Sequence, residues 1–579
     1  MAGAWCAVRS YVKNIPKCGW VLKGAWFSKG LRASRYIRYI SQTFPYLVTV
    51  LERALFALLV VFLFALLVVF VVLLFTVLAM RAASSTTLEP LSKWFLWSLF
   101  TFSAVAGSLF GYDTGIVSGA LVSVRAEFSL TNTQTEWFVS ATPLSSAFGS
   151  LLSVLLNDAF GRRPVIFIGA FTCMVGASCL GLATSYNTLI VGRVLIGSAI
   201  GLTSVTAPMY AAELAPPASR GMVVVLNDFS IVAGQVVAGG LNVAFLYVTD
   251  GWRYAMGLAC VPAMMLVLAM LPLPESPRWL YLRGDREASR TSLMVIHGVL
   301  ADGSAEGVAE AEFDRMCQSL DDEARLAGGA ADEGVAAKIS RSLIALVSEA
   351  PLRRSMLLGI LLMGLNQLSG INTVMYYSAS IFEARYGIEV SVWLAAACDC
   401  AQLVGVLISL ATIDSHGRRL TGLRSAGLVT LSLIGLSVSY GVHFSGASSM
   451  GLAFTLAYLV AFGSGLSGVG WVVVSEIYPM RVRATAVAVA VFANWMFNFL
   501  VSQSFLTLVE SMGYCETFGL YAAFSIVGGC LMYRYLPETS GARLEDIERQ
   551  FHDPYPSNIV RSQPSEAAKE GSALLPPPK

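Results

Sequence analysis

The stretch AELAPPASRG at residues 212–221 has a counterpart, SEIYPMRVRA, at residues 475–484. In each, a glutamate stands seven residues before an arginine: Glu213 and Arg220 in one, Glu476 and Arg483 in the other. The match extends in both directions. Downstream, PESP places Glu275 62 residues after Glu213, and PETS places Glu538 62 residues after Glu476. Upstream, FGRRP at 160–164 is echoed by HGRRL at 416–420. Three paired landmarks in one order, at an offset near 260 residues, read as an internal duplication. Two homologous halves in parallel orientation are expected, divided by the charged stretch 274–354.

The sequence around these landmarks is apolar. Of 579 residues, 56% are hydrophobic and only 13% charged, with a mean hydropathy of +0.66; ordinary soluble domains carry about 25% charged residues. Thirteen apolar runs, from 54–79 and 94–120 to 514–536, are long enough to cross a bilayer, which takes about 20 residues each. Runs of that length exceed barrel strands, and backbone in lipid must satisfy its own hydrogen bonds, so the spans are helices. The expected fold class is an all-α membrane protein with twelve transmembrane helices in two pseudo-symmetric six-helix bundles. The expected organisation is a basic extension 1–90 containing the apolar segment 54–79, a first bundle 91–273, a linker 274–354, a second bundle 355–537 and a tail 538–579.

Basic loops set the orientation. Arg162 and Arg163 follow the second helix, Arg220 the fourth, Arg418 and Arg419 the eighth, and Arg481 and Arg483 the tenth. Every even-numbered exit is basic, which places both ends of the twelve-helix core in the cytosol. The segment 54–79 conflicts with this. The nine basic residues before it also favour the cytosol, and a thirteenth span would invert the rest. It is set outside the functional core.

Composition also narrows the chemistry. The four histidines, His297, His416, His443 and His552, all lie outside the middles of spans, and the ten cysteines form no CxxC pair. No metal site and no cofactor are expected, so proton chemistry falls to carboxylates. A net charge of +2 gives no basic patch for nucleic acid. With no nucleophile, metal cluster or phosphate loop, an enzyme is not expected.

Within GSLFGYDTGIVSG at 107–119, Asp113 is a carboxylate in an otherwise apolar helix. Such a charge costs roughly 2.5–3.5 kcal/mol at the bilayer centre on insertion scales. Asp113 lies about 28 Å beyond Trp94 at ~1.5 Å per residue, toward the outer half of its helix. Arg193 lies about five residues into the inward-running fourth helix, at a similar depth. Opposite charges there offset each other's desolvation, either as a permanent structural pair or as a proton switch. Two more acids lie in spans. Asp228 shares a face of the fifth helix with Gln235, and Asp399 shares a face of the eighth with Gln402.

The segments GRVLIGSAIGLTSVTAPMYAAELAPPASRG, PESPRWL, NQLSGINTVMYYS, DSHGRR, WVVVSEIYPMRVR and PETSG together resemble the signature set of the sugar porter family of the major facilitator superfamily. The resemblance covers residues 94–550 in the expected order. It implies alternating access by two bundles rocking about a central site for hydroxylated substrates. Proton-coupled members are similar in having Asp at the position of Asp113, whereas facilitative animal hexose carriers have Asn there. Hydroxyl recognition requires neutral groups that both donate and accept. Gln367, Asn372, Gln402, Asn494 and Asn498 match substrate-holding positions of the family, Asn366 replaces the first glutamine of a usual pair, and Trp471 resembles a tryptophan that lies against the sugar.

Asp228 stands where hexose-binding members have Gln, and GLSGVGW lacks the prolines common before that tryptophan, which predicts a less bent tenth helix. INTVMYYS, and Asn227 in LNDF, resemble myo-inositol carriers more than glucose carriers. At the cytosolic rim, Asp158, Arg162, Glu213, Arg220, Asp414, Arg418, Glu476 and Arg483 are expected to form a charge network that locks the outward-open state. The expected function is therefore proton-coupled symport of a sugar or cyclitol, foremost myo-inositol. A facilitative hexose uniporter and a non-transporting sugar sensor are the alternatives. The expected partners are the polyol substrate and the lipid bilayer. The expected working unit is a monomer in the plasma membrane.

Overall fold

The computed structural model describes residues 93–215, 220–298, 306–326, 335–442, 446–479, 481–540 and 551. The segment 54–79 and the tail beyond 551 lie outside the described residues. The first half contains α1 (Lys93–Phe128), α2 (Asn132–Phe160), α3 (Arg162–Gly181), α4 (Tyr186–Leu214) and α5 (Arg220–Phe245), then α6 (Gly251–Gly257) and α7 (Cys260–Met270), which together form its sixth span. Among the described residues of the linker there are four helices: α8 (Pro277–Leu282), α9 (Arg286–His297), α10 (Glu306–Leu326) and α11 (Val335–Ser348). The second half contains α12 (Ala350–Leu368), α13 (Ile371–His416), α14 (Arg418–Gly441), α15 (Ala447–Gly463), α16 (Leu466–Glu476), α17 (Arg483–Met512) and α18 (Tyr514–Tyr535).

Eleven helical stretches among the described residues are long and apolar enough to cross a bilayer. One of them, Ala350–Ile413, has 64 residues, about 96 Å at ~1.5 Å per residue against a hydrocarbon core of about 30 Å. It breaks at Gly387, where φ is +77° and ψ is 167°, a conformation open to glycine and strained for other residues. The stretch therefore supplies two spans, and the core has twelve. Large apolar side chains such as Phe148, Leu152, Phe171, Leu431 and Val527 are exposed along the outer helix faces, where lipid rather than water is their solvent.

The closest interhelical approach has a simple sequence cause. Gly107, Gly111, Gly115 and Gly119 recur every four residues, so they form one stripe along α1. The stripe lies on α5. A Cβ at Gly115 would come within 2.8 Å of the Gln235 Cα, and one at Gly111 would overlap the Ile231 carbonyl. Asp113, two residues from both Gly111 and Gly115, is turned about 200° away from α5 and toward α4. Gly111→Val should therefore force the helices apart. The expected result is a roughly tenfold or greater loss of monodisperse protein on gel filtration, since overpacking costs about 1–3 kcal/mol even where side chains can yield.

Two expectations need correcting. The first helix continues past 120 to Phe128 and ends where Ser129 takes φ +49°, so Asp113 lies in the outer half, as expected, but just past the middle. The tenth span is broken despite its missing prolines, between α15 and α16 at Ser464 and Gly465. The glycine-rich GSGLSG permits the break, and side chains satisfy the freed backbone groups: Leu466 N donates to Ser425 Oγ at 2.9 Å, and Asn366 Nδ2 donates to the Leu466 carbonyl at 2.9 Å. The seventh span breaks in the same way at Ser369 and Gly370, with φ +84° at the glycine.

Candidate functional site

The two opposed charges meet. Arg193 Nη1 donates to Asp113 Oδ1 at 2.8 Å, with Arg193 0% and Asp113 5% exposed. The rest of the guanidinium is also occupied. Nε donates to the Phe138 carbonyl at 3.1 Å and Nη2 to the Val139 carbonyl at 3.4 Å, and the group lies 5.5 Å from the Phe138 ring centroid. The planar fork thus ties α4 to both α1 and α2. Asp113 contributes a single acceptor contact, so a proton on its carboxyl would remove the charge attraction to α1 and leave the links to α2 in place.

The second half brings its amides together at the broken seventh span. Gln367 Nε2 donates to Asn494 Oδ1 at 2.9 Å and to Asn366 Oδ1 at 3.2 Å, and Gln367 Oε1 accepts from Asn372 Nδ2 at 2.5 Å. Asn498, one turn beyond Asn494 on α17, donates to the Tyr376 hydroxyl at 3.5 Å. Gln367, Asn366, Asn372 and Asn494 hold one another through groups that a polyol hydroxyl could replace one for one. Gln402 on α13 and Gln235 on α5 are buried, and their Oε1 atoms have no partner among the described residues. Gln367→Ala would strip partners from three amides at once. With about 1 kcal/mol per lost hydrogen bond, the half-saturating substrate concentration should rise roughly tenfold to a hundredfold in an uptake titration.

Other expected residues are placed differently. Asn227 Nδ2 donates to the Ser103 carbonyl at 3.1 Å, so it joins α5 to α1. Asp228 makes no hydrogen bond or ion pair with any described residue and approaches α16, its Oδ2 3.5 Å from where a Cβ on Gly468 would lie. Trp471, three residues beyond Gly468, is half-buried on α16.

Trp495 was not anticipated from the sequence. It is 2% exposed, its Nε1 has no partner, and its ring lies 5.3 Å from that of Phe110 on α1. Its position inside ANWMFNF, between two site asparagines, was the available signal. Tyr376 was also missed. Its hydroxyl meets both Asn498 and the Thr114 side chain, beside Asp113, and so connects the amide cluster to the ion pair.

At the end of the bundle that carries the arginine loops, the described residues show two copies of one charged motif. Arg162 pairs with Glu213 at 3.0 Å in the first half, and Arg418 with Glu476 at 3.6 Å in the second. In the first copy, Glu275 accepts the backbone N–H groups of Arg162, Arg163 and Ser276 at 2.8–3.1 Å. In the second, Glu538 accepts those of Arg418, Arg419 and Ser540 at 2.9–3.1 Å. Each carboxylate caps a helix N-terminus behind a left-handed glycine, Gly161 at φ +94° or Gly417 at φ +81°. Burial pushes the Glu275 carboxyl up, against the opposing pull of these N–H donors and of Arg162.

Two of the other expected members make backbone contacts among the described residues. Asp158 contributes its backbone carbonyl, to Trp279, and Arg483 donates Nε to the Tyr478 carbonyl at 3.0 Å. The side chains of Arg220 and Asp414 lie outside the described residues. The sequence reading used Glu275 and Glu538 only as landmarks, although their matched spacing already marked them as equivalent.

The halves meet through side chains at the opposite end. Ser378 donates to Ser118 at 3.1 Å, Asn132 Nδ2 to Glu510 Oε2 at 2.8 Å, and Tyr247 to Glu389 Oε1 at 2.7 Å. The Glu136 carboxylate accepts from the Thr507 backbone N–H at 2.7 Å and its hydroxyl at 2.8 Å. The end opposite the arginine loops is closed.

Residues 99–551 match the family model described as sugar (and other) transporter. The human proton myo-inositol cotransporter is 30% identical over 564 residues, covering 81% of this chain and 84% of that protein. The galactose-proton symporter of Escherichia coli is 32% identical over 457 residues, covering 78% and 93%. Among solved structures, the proton:xylose symporter XylE bound to 6-bromo-6-deoxy-D-glucose is similar at 26% identity and a TM-score of 0.65, covering 79% of this chain and 98% of that one. These relatives are transporters, not enzymes. With its duplicated twelve-span core and a family match over most of its length, the chain belongs to the sugar porter family of the major facilitator superfamily.

Proposed function

We propose that the protein is a proton-coupled symporter of a sugar or cyclitol, with myo-inositol as its foremost substrate, working by alternating access as a monomer in the plasma membrane. The buried Asp113–Arg193 pair beside an amide-lined centre carries this reading. Relatives named as proton cotransporters of myo-inositol and galactose support it. In this reading the arginine-loop end faces the cytosol and the closed end faces outward.

The chemistry is a single proton on a single carboxylate. A proton bound at Asp113 neutralises it and removes the charge attraction that holds Arg193 to α1, while the Phe138 and Val139 carbonyls keep the guanidinium on α2. Substrate hydroxyls displace amide–amide hydrogen bonds around Gln367. Tyr376, in contact with both Asn498 and Thr114, lets each event bias the other. Two half-bundles that rearrange only when loaded or empty would then carry proton and polyol together.

The test is uptake of labelled myo-inositol, glucose and xylose by proteoliposomes at external pH 5.5 and 7.5 with the interior buffered. Accumulation above the external concentration, strongest for myo-inositol and lost when the pH difference is collapsed, is expected. Equal inside and outside concentrations at both pH values would instead identify a uniporter.

A further inference from the structure

Asp399 has no part in the site described above. It lies on α13, in the stretch after Gly387, is 5% exposed, and makes no hydrogen bond or ion pair with any described residue. Its position across the halves is distinctive. Asp399 Oδ2 occupies the space that a Cβ on Gly239 of α5 would fill, and the Ala396 Cα lies 3.1 Å from that same point. The carboxyl is pressed against the backbone of the other half. Two to three turns nearer the closed end, Tyr247, just past the end of α5, donates to Glu389 of α13.

The surroundings supply no compensating charge. Helix α5 presents Gly239, with Gln235 one turn away and Asp228 about 16 Å along the helix at ~1.5 Å per residue. Asp399's own helix supplies Cys398, Cys400 and Gln402, none of them a counter-charge. An ionised carboxylate sealed at this point would lose its water and gain nothing in return, at a cost of several kcal/mol. A neutral carboxylic acid packs there without that cost. Opening the closed end separates α5 from α13 at Gly239 and returns the carboxyl to water, where the ionised form is favoured.

We propose that Asp399 is a proton-sensitive latch of the outer closure: it binds a proton when α5 and α13 pack at Gly239 and releases it to the same side when they part. The assignment of that end to the outside rests on the proposed function; the latch itself does not. Because the proton returns to the side it came from, Asp399 alters the pH dependence of closing without adding to the protons moved per substrate. This separates it from the Asp113–Arg193 switch.

The experiment is hydrogen–deuterium exchange of the full chain in detergent, followed in peptides covering 238–250 and 385–398, for the wild type and Asp399→Asn between pH 5.5 and 8. Comparison at each pH cancels intrinsic exchange chemistry, and Asp113 is common to both proteins. Protection of these peptides in the wild type should fall about tenfold relative to the variant as pH rises through this range, any response of Asp113 being common to both. Asp399→Ala, which also cannot ionise, reads the same result if the asparagine variant does not fold. Parallel pH profiles for wild type and variant would overturn the latch, as would a wild-type response that follows sodium concentration rather than pH. Loss of substrate-driven proton movement in the wild type would overturn symport and leave this result untouched.

Discussion

Asp113→Asn is expected to abolish accumulation while sparing exchange. Asparagine is close in size to the protonated acid, so the variant resembles a carrier held permanently in its protonated state. Loaded carrier can still turn around, and labelled substrate should exchange against unlabelled substrate at a rate within about threefold of wild type, less than ~0.7 kcal/mol. Accumulation is a different matter. A one-unit pH difference contributes about 1.4 kcal/mol and a 100 mV potential about 2.3 kcal/mol per charge. A single-proton symporter can therefore concentrate its substrate on the order of 500-fold. In the variant this ratio should fall to about one. Side-by-side exchange and accumulation assays in the same proteoliposomes check both halves of the statement.

Arg193→Met should be more damaging, and to the protein itself. It leaves the Asp113 carboxylate buried without its partner and strips the Phe138 and Val139 carbonyls of their donors. Removing one member of a buried pair costs about 3–5 kcal/mol, a large part of a typical stability of about 5–15 kcal/mol. The expected result is a large drop in melting temperature in detergent or failure to purify. Adding Asp113→Asn removes the stranded charge and should recover about 2 kcal/mol or more of that loss. A single variant as stable as wild type, or a double variant no better than the single one, would show that the pair is not under the strain described here.

Helix spacing and basic loops suffice to read the twelve-span core, because a bilayer demands long apolar runs and a duplicated chain repeats its charged landmarks. The Asp113–Arg193 pairing is legible for the same reason: two opposed charges at comparable depth in a low-dielectric medium have few other places to go. The glycine stripe at 107, 111, 115 and 119 was equally visible, in the same thirteen residues as Asp113, and is what aims that carboxylate. The break before α16 was not legible from proline content, since glycine and serine there do the work that proline does elsewhere. Nor does sequence show which partner a buried amide chooses. Asn227 bonds α1 although it sits beside Asp228, because a one-residue step turns a side chain by about 100°. The charged rim was read by residue type as one network. Among the described residues, Glu213 and Glu476 meet an arginine of their own half, and Glu275 and Glu538 a helix N-terminus of their own half.

The most direct test of the central claim is proton movement driven by substrate alone. Proteoliposomes loaded with a pH-sensitive dye, with no initial pH or voltage gradient, receive external myo-inositol. Proton coupling through Asp113 predicts immediate acidification of the interior in the wild type and none in Asp113→Asn, although both take up label. Uptake of label by the wild type without acidification, or acidification that persists in Asp113→Asn, would contradict it.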